Sequence, residues 1–380
     1  MPPANVTPNS LVRTTRMEPV HGEVGDSGFV FLVCQQGVES TLKAQFVQPE
    51  TDFRLAFSRP GLLTFKTSPR KRVEFSSEGN APPEQSMQWA VPAGLLVRQS
   101  GVALGQLSGD QAGELVKQAL EIAGDDWDAV HVFSRDRELP GSNGFEPGIG
   151  ELEEAVLKLF GEQLPKADCS GQPAAQEARV LDVILVAPNQ WLVGYHTASA
   201  TELQWPGGSF PFSKPAPMVS RAYLKIAEAL AWSQFPAKPG DRFLEIGSAP
   251  GGASQRLLDL GFQVTGVDPA EMDPALLAHP RFDHWRNKSS AIKRKRYSGF
   301  RWLAADANVA PSYTLDAVED IVTYSSSRFE GLVLTMKLTN FELVDRFEEY
   351  ASRVKEWGFS SVRARQLSFN RRECCMIATR

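Results

Sequence analysis

At 380 residues the chain exceeds one average domain, and 42% apolar residues suffice for two or three cores of the ordinary globular kind. A net charge of −5 excludes a protein that coats nucleic acid through bulk charge, although a local basic face is compatible with it. No apolar run approaches the ~20 residues that span a bilayer, so a membrane helix is excluded as well.

In chain order, Met1 to Met17 lack the apolar stretch of a signal peptide. Residues 1–20 read as a polar, disordered tail, and the expected location is cytoplasmic. Over 20–100, short β-rich runs such as Phe29–Val33 and Leu62–Phe65 alternate with turn-rich stretches. Over 100–205, helices are expected at Asp110–Ala123 and Gly150–Phe160, with strands at Ala129–Phe133 and Val180–Ala187. A polar inserted loop is expected at Lys166–Ala178, and the whole region reads as α+β. The Pro- and Gly-dense run 206–217 reads as a linker.

Strands and helices then alternate over 218–380. A helix fits Arg221–Phe235, a strand Arg242–Gly247, a helix Gly251–Gly261 and a strand Gln263–Asp268. Further strands fit Phe282–Arg286, Trp302–Asp306, Gly331–Lys337, Ser361–Leu367 and Cys374–Thr379, with one long helix at Asn340–Trp357. Strand–helix alternation ending in strand–strand predicts an α/β domain whose largely parallel sheet closes with an antiparallel pair. The four cysteines, Cys34, Cys169, Cys374 and Cys375, have no paired metal-ligand spacing, so neither a metal nor a disulfide is expected.

The sharpest local feature is Phe243-Leu-Glu-Ile-Gly-Ser-Ala-Pro-Gly-Gly-Ala-Ser254, an apolar strand entering a small-residue loop and then a helix. Gly247, Gly251 and Gly252 would let the backbone approach a ligand where a Cβ would collide. Asp268 ends the next strand, where a carboxylate can accept from the hydroxyls of an adenosine ribose. A turn whose glycines merely cap is the plain alternative. A dinucleotide site is another, but the spacing is not G-x-G-x-x-G, and Pro250 removes an amide that a pyrophosphate would want.

Gly247-Ser-Ala-Pro-Gly-Gly252 resembles the first cofactor motif of the FtsJ-type RNA 2′-O-methyltransferases. No Asn/Asp-Pro-Pro-Tyr follows the fourth strand, as it usually does in enzymes that methylate base amino groups; the chain reads Asp306-Ala-Asn-Val. The resemblance implies a Rossmann-like class I methyltransferase domain with S-adenosyl-L-methionine as cofactor. Gly247, Ser248, Ala249, Pro250, Gly251, Gly252, Asp268 and Asp306 would hold that cofactor. It also implies a Lys–Asp–Lys–Glu catalytic group, which falls on Lys225, Asp306, Lys337 and Glu373. A ribose hydroxyl must shed its proton as its oxygen attacks, and a lysine can take that proton or steer the lone pair. Singly, a helix lysine or a strand-end aspartate is usually solvated or a cap. Lys337, after the apolar run Leu332–Met336, is the exception, because a buried charge must be paired.

Within that family, Ser220-Arg-Ala-Tyr-Leu-Lys-Ile-Ala-Glu-Ala-Leu230, Ala364-Arg-Gln-Leu367 and Arg371-Arg-Glu373 resemble the RlmM-type enzymes, which methylate a cytidine ribose of 23S rRNA. That likeness implies a ferredoxin-like region (20–100) and a THUMP-like RNA-binding region (100–205) before the methyltransferase domain (218–380). Ala222 stands where the family has a serine, and Asn287-Lys288 where it has an acidic pair. Between Arg281 and Arg301 lie eight Lys or Arg and one acidic residue, with Trp285, Tyr297, Phe300 and Trp302 interleaved. Lys355, Arg363, Arg365, Arg371 and Arg372 form a second cluster. RNA, in particular 23S rRNA, is the expected partner, rather than DNA or a membrane. A non-catalytic RNA-binding or ribosome-assembly factor of the same fold is the alternative. A small-molecule methyltransferase is a third reading, against which the basic clusters weigh.

Overall fold

A computed structural model describes residues 16–21, 28–49, 51–67, 70–74, 84–212 and 217–380. The described residues divide into two compact units, one over 16–212 and one over 217–380.

In the first unit the elements are β1 (Arg16–His21), β2 (Phe29–Val33), α1 (Glu39–Phe46), β3 (Arg54–Arg59), β4 (Leu62–Lys66), β5 (Arg70–Glu74), β6 (Glu84–Ala93) and β7 (Gln99–Ser108). There follow α2 (Ala112–Ala123), β8 (Ala129–Ser134), α3 (Glu151–Gln163), β9 (Arg179–Ala187) and β10 (Gln190–Thr197). They form a three-stranded sheet, β1-β6-β5, and a seven-stranded sheet, β3-β4-β2-β7-β10-β9-β8. Only β8 and β9 run parallel in the larger sheet. Its strand β9, Val-Leu-Asp-Val-Ile-Leu-Val over 180–186, is buried throughout and therefore reads as an almost unbroken apolar run. Helix α3 buries Val156, Leu157 and Phe160 and is fastened to β8 by Ser134 Oγ donating to Glu153 Oε1 (2.5 Å). Strand residues alternate faces, so Val130 and Val132 share the α3 side with Ser134, whereas His131 and Phe133 point to the opposite face.

Two boundaries differ from the sequence expectation. The division near residue 100 falls at β7, which pairs with β2 on one side and β10 on the other, so one sheet spans both regions. Strand pairing joins segments whose local composition differs. Residues 1–15 of the expected tail lie outside the described residues, and the tail's last residues belong to β1, paired with β6. The expected linker is likewise packed at its start. Pro206, Gly207 and Gly208 are buried in a 3-10 turn, where a Cβ on Gly208 would lie 2.3 Å from the Arg98 carbonyl oxygen. Arg98 donates to Gly207 O (2.9 Å) and forms a two-pronged buried pair with Asp136 (2.9 and 2.7 Å). Linker residues 213–216 lie outside the described residues.

The second unit is built from α4 (Ala222–Ser233), β11 (Arg242–Ile246), α5 (Gly252–Asp259), β12 (Gln263–Val267), α6 (Pro274–Leu277), β13 (Phe282–Trp285) and β14 (Trp302–Ala305). After these come α7 (Pro311–Val322), β15 (Gly331–Lys337), α8 (Phe347–Glu356), β16 (Ser361–Arg365) and β17 (Glu373–Thr379). The sheet order is β13-β12-β11-β14-β15-β17-β16, parallel except for β17, which is antiparallel to both neighbours. This is the methyltransferase-like α/β arrangement expected. The order reverses direction between β11 and β14, and in open parallel sheets ligands bind at the carboxyl ends of strands at such a point.

Helix α7 is absent from the sequence expectation, although Pro311 at its first turn and buried Leu315, Val318 and Val322 on one stripe carry the signal. The expected long helix at 340–357 begins instead as a 3-10 segment, Phe341–Arg346, and is α-helical only from Phe347. Asn340 caps that segment by accepting from Leu343 N (3.2 Å). Among the described residues no helix is long and apolar enough to cross a membrane.

Candidate active site

Four of the singled-out residues meet because of strand register. Asp306 follows β14 and Lys337 ends β15, the adjacent parallel strand. Glu373 opens β17 and is the direct antiparallel partner of Lys337. Lys225 reaches them from the first turn of α4. Its ammonium lies 2.9 Å from Asp306 Oδ2 and 2.8 Å from Glu373 Oε2, while Lys337 Nζ pairs with Glu373 Oε1. The structure thus brings Lys225, Asp306, Lys337 and Glu373 into one chain of charges at the carboxyl ends of the central strands.

Burial alone would raise Glu373, whose side chain is 3% exposed, but Lys225 and Lys337 outweigh it and hold the carboxyl below its ordinary range. Burial likewise opposes the charge on Lys225, yet Asp306 and Glu373 keep that ammonium above the usual lysine value. Lys225 is therefore a fixed cation that clamps two carboxylates. Lys337 touches only one partner of the group, and its side chain is more open, at 27% against 17% for Lys225.

Sequence reasoning missed two supporting residues. Glu228, three positions after Lys225 on α4, is fully buried. Its carboxylate accepts from Ser368 N (2.9 Å), Ser368 Oγ (2.7 Å) and Phe369 N (2.9 Å), anchoring the turn that leads into Glu373. Glu245, inside β11, lines a small cavity with Ala222, Lys225, Asp306 and Asn370. Burial chiefly, with Asp306 and Asp268 nearby, pushes Glu245 up to about 8 against the opposing hydrogen bond from Ser254. An acidic residue within an otherwise apolar segment was the available signal in both cases.

The loop after β11 is closely packed by its own chain. A Cβ on Gly251 (φ 120°) would come within 2.0 Å of Leu276 Cδ1, and one on Gly252 within 2.1 Å of Ser220 Oγ. At Gly247 (φ 76°) it would come within 2.8 Å of Asp306 O. A Cβ at any of these three positions would therefore meet the chain's own atoms before any ligand is bound. Ser248 is buried, its hydroxyl 3.6 Å from Met272 Sδ, whereas Gly247 and Ala249 are half-buried and Pro250 is exposed. Asp268 accepts from Ala249 N (3.2 Å) and Ala270 N (2.8 Å), one amide per oxygen. It is half-buried, so lone pairs remain for a ribose diol. Asn287 and Lys288 lie exposed after β13, with Asn287 Oδ1 accepting from Lys288 N (2.9 Å).

Most arginines of the first basic cluster are already engaged. Arg294 pairs with Asp320, Arg301 with Glu330 (2.7 Å) and Arg286 with Glu271 (3.1 Å). The Arg296 guanidinium lies over Trp285, 3.9 Å from the ring centre. Tyr297, Phe300 and Trp302 are buried, so these three belong to the core and not to a stacking surface. Lys288, Lys293 and Lys295 are exposed. In the second cluster Lys355, Arg371 and Arg372 are exposed, Arg365 is buried, and Arg363 donates to Ser233 O (2.9 Å).

Comparison with known proteins gives the class first: residues 218–290 match the family model of the FtsJ-like methyltransferases. More particular likenesses are to curated proteins named ribosomal RNA large subunit methyltransferase M. The one from Laribacter hongkongensis is 28% identical over 193 residues, covering 46% of this chain and 52% of that protein. The one from Marinobacter nauticus is 27% identical over 240 residues, covering 60% and 63%. The chain therefore spans between half and two thirds of the length of these relatives. Among solved structures, the Burkholderia thailandensis 1,6-didemethyltoxoflavin-N1-methyltransferase aligns with 43% of this chain and 79% of its own at 16% identity, with a TM-score of 0.34.

Proposed function

We propose that this protein is an S-adenosylmethionine-dependent methyltransferase acting on a ribose 2′-hydroxyl of RNA, with large-subunit 23S rRNA as substrate. The observation that carries the reading is the Lys225–Asp306–Glu373–Lys337 network at the sheet's switch point, joined to an FtsJ-like segment over 218–290. When bound, S-adenosylmethionine supplies a methyl group activated by its sulfonium charge. The chain's residues do the rest. Asp268 would take the ribose diol of the cofactor, and Gly247, Ala249 and Pro250 would lie beside it. Lys225 holds Asp306 and Glu373 in place; Glu373 aims Lys337. Lys337 meets the incoming hydroxyl: as the neutral amine it would take up the departing proton, and as the ammonium it would only donate to the oxygen and orient it.

Residues 20–205 are read as a ferredoxin-like and THUMP-like region that binds RNA and presents it to the domain over 218–380. The exposed Lys288, Lys293, Lys295, Arg371 and Arg372 support phosphate contact on the catalytic unit itself. Methylation and rRNA binding both fit a cytoplasmic protein. The substitutions Ala222 and Asn287-Lys288 are what favour the alternative, an RNA-binding assembly factor that keeps the fold without turnover. The intact charge network weighs against it.

The test is label transfer from S-adenosylmethionine to unmodified large-subunit rRNA, followed by digestion to nucleosides. Label is expected in a 2′-O-methylnucleoside. Label on a base would overturn the proposed reaction, and binding of cofactor and RNA without transfer would support the assembly factor.

A further inference from the structure

On the face of the larger sheet opposite α3, a polar cluster interrupts two apolar ones. One apolar cluster contains Phe133, Ile184 and Leu192, and the other contains Ala129, Val180 and Ala198. Between them stand His131 on β8, Asp182 on β9 and His196 on β10, none more than 1% exposed. Register places them together. His131 is the direct partner of Asp182, and Asp182 faces Gly194, two residues before His196. Each of the three offers a ligand atom, and these atoms lie within 4.8 Å of one another.

The hydrogen bonds around the cluster fix its chemistry. His196 Nε2 lies 2.7 Å from Leu203 O, an acceptor, so Nε2 carries the hydrogen. His196 Nδ1 then presents its lone pair to Asp182 Oδ2 at 2.6 Å. Two lone pairs at that distance require a cation between them, either a proton on Nδ1 or a metal ion. Gln99 Nε2 donates to Asp182 Oδ1 (2.8 Å) and steadies the carboxylate. A carbonyl on the distal nitrogen of a histidine and a donor on the free oxygen of a carboxylate are the outer contacts that orient metal ligands. His131 decides between proton and metal. Both its ring nitrogens are buried without a hydrogen-bond partner. A proton on His196 leaves them so, whereas a metal ion takes one of them.

We propose that His131, Asp182 and His196 bind a divalent transition-metal ion of the zinc type, holding β8, β9 and β10 together beneath the 198–208 segment. Two imidazoles and one carboxylate are a borderline donor set suited to zinc or cobalt. As it stands Gln99 presents its Nε2 donor, 3.1 Å from His196 Nδ1; turning that amide over would bring Oε1, which is buried without a partner, to the metal as a fourth ligand in place of the Nε2 contacts. In a tetrahedral zinc site with bonds of ~2.0–2.1 Å, ligand atoms stand roughly 3.3–3.5 Å apart, so the side chains need shifts below about 1 Å. The site is fully enclosed and leaves no room for substrate, so its role is structural.

The experiment uses the untagged full chain. It is incubated with zinc or cobalt(II), freed of unbound ion, and measured by elemental analysis and visible absorption. The expected result is about one ion per chain, tetrahedral d–d bands for cobalt, and a melting temperature lowered by a chelator. His131→Phe keeps the ring volume but removes a ligand, and should lose the ion while retaining the far-ultraviolet dichroism of the wild type. Should that variant fail to fold, the wild-type stoichiometry decides alone. Less than about a tenth of an ion per chain in the wild type overturns the site, as does equal loading in a folded His131→Phe.

Discussion

Two buried glutamates of the second unit, Glu245 and Glu373, are shifted in opposite senses, and each gives a separate test. Glu245 is held near 8, far above its unfolded value, so the folded state keeps a proton that the unfolded state loses. Its contribution to stability is full below about pH 4.5 and is lost as pH rises through 8, at up to about 1.4 kcal/mol per pH unit. Glu245→Gln mimics the neutral acid, so urea melts of the cofactor-free protein at pH 5, 6.5 and 8 should lose that decline. Parallel pH profiles in variant and wild type would refute it. Glu373 is shifted the other way, because its lysines outweigh burial. Its stabilisation is present above the unfolded carboxyl value and lost as pH falls through the lower folded one. In Glu373→Gln the acid limb of the stability curve should flatten, which melts between pH 5 and 3 would reveal. At this scale the four charged residues were legible because the FtsJ-type pattern names residue types in fixed contexts. Glu228 and Glu245 were not, since their importance lies in burial and partners that only the fold supplies.

Among the elements, the small-residue loop carries a packing constraint beside the ligand approach expected of it. Gly247, Gly251 and Gly252 mark the turn after β11 as expected, yet the atoms a Cβ would strike belong to Asp306, Leu276 and Ser220. Gly252→Ala should therefore destabilise the second unit even without ligand, by roughly 1–3 kcal/mol as overpacking usually costs. An unchanged melting temperature would show that Ser220 yields freely. Glu228→Ala strands three donors of the 368–369 turn and should cost a comparable amount, about 1–3 kcal/mol, while loosening Glu373. Most strands and helices could be read from periodicity, because buried runs such as Leu332–Met336 and the stripe of α2 follow directly from their faces. Helix α7 is hidden behind a Pro–Ser start. The 340–357 helix reads as too long because its apolar stripe continues through a 3-10 segment where Asn340 caps the chain.

At the scale of the whole molecule, composition marks two kinds of region, α+β and then α/β, but not the single sheet that runs through 29–197. Pairing between β7 and both of its neighbours is a long-range choice that local pattern does not encode. The basic character of 281–301 is equally plain in the sequence. Which of its charges are available is not, because Asp320, Glu330 and Glu271 come from elsewhere in the chain. Replacing Lys288, Lys293 and Lys295 with alanine should weaken RNA binding irrespective of sequence. The slope of log affinity against log salt should fall by up to about 0.7–0.9 for each phosphate no longer neutralised. A slope equal to wild type would make these lysines bystanders. Whether the charge network serves methyl transfer to a ribose hydroxyl is decided by single-turnover transfer in Lys337→Met, with cofactor and rRNA both saturating. Methionine keeps the apolar stem and removes the ammonium. The rate should fall on the order of 10²–10⁴-fold, with binding of both ligands near wild type. A rate within about threefold of wild type, far short of the loss expected for a group that handles the proton, would contradict that role.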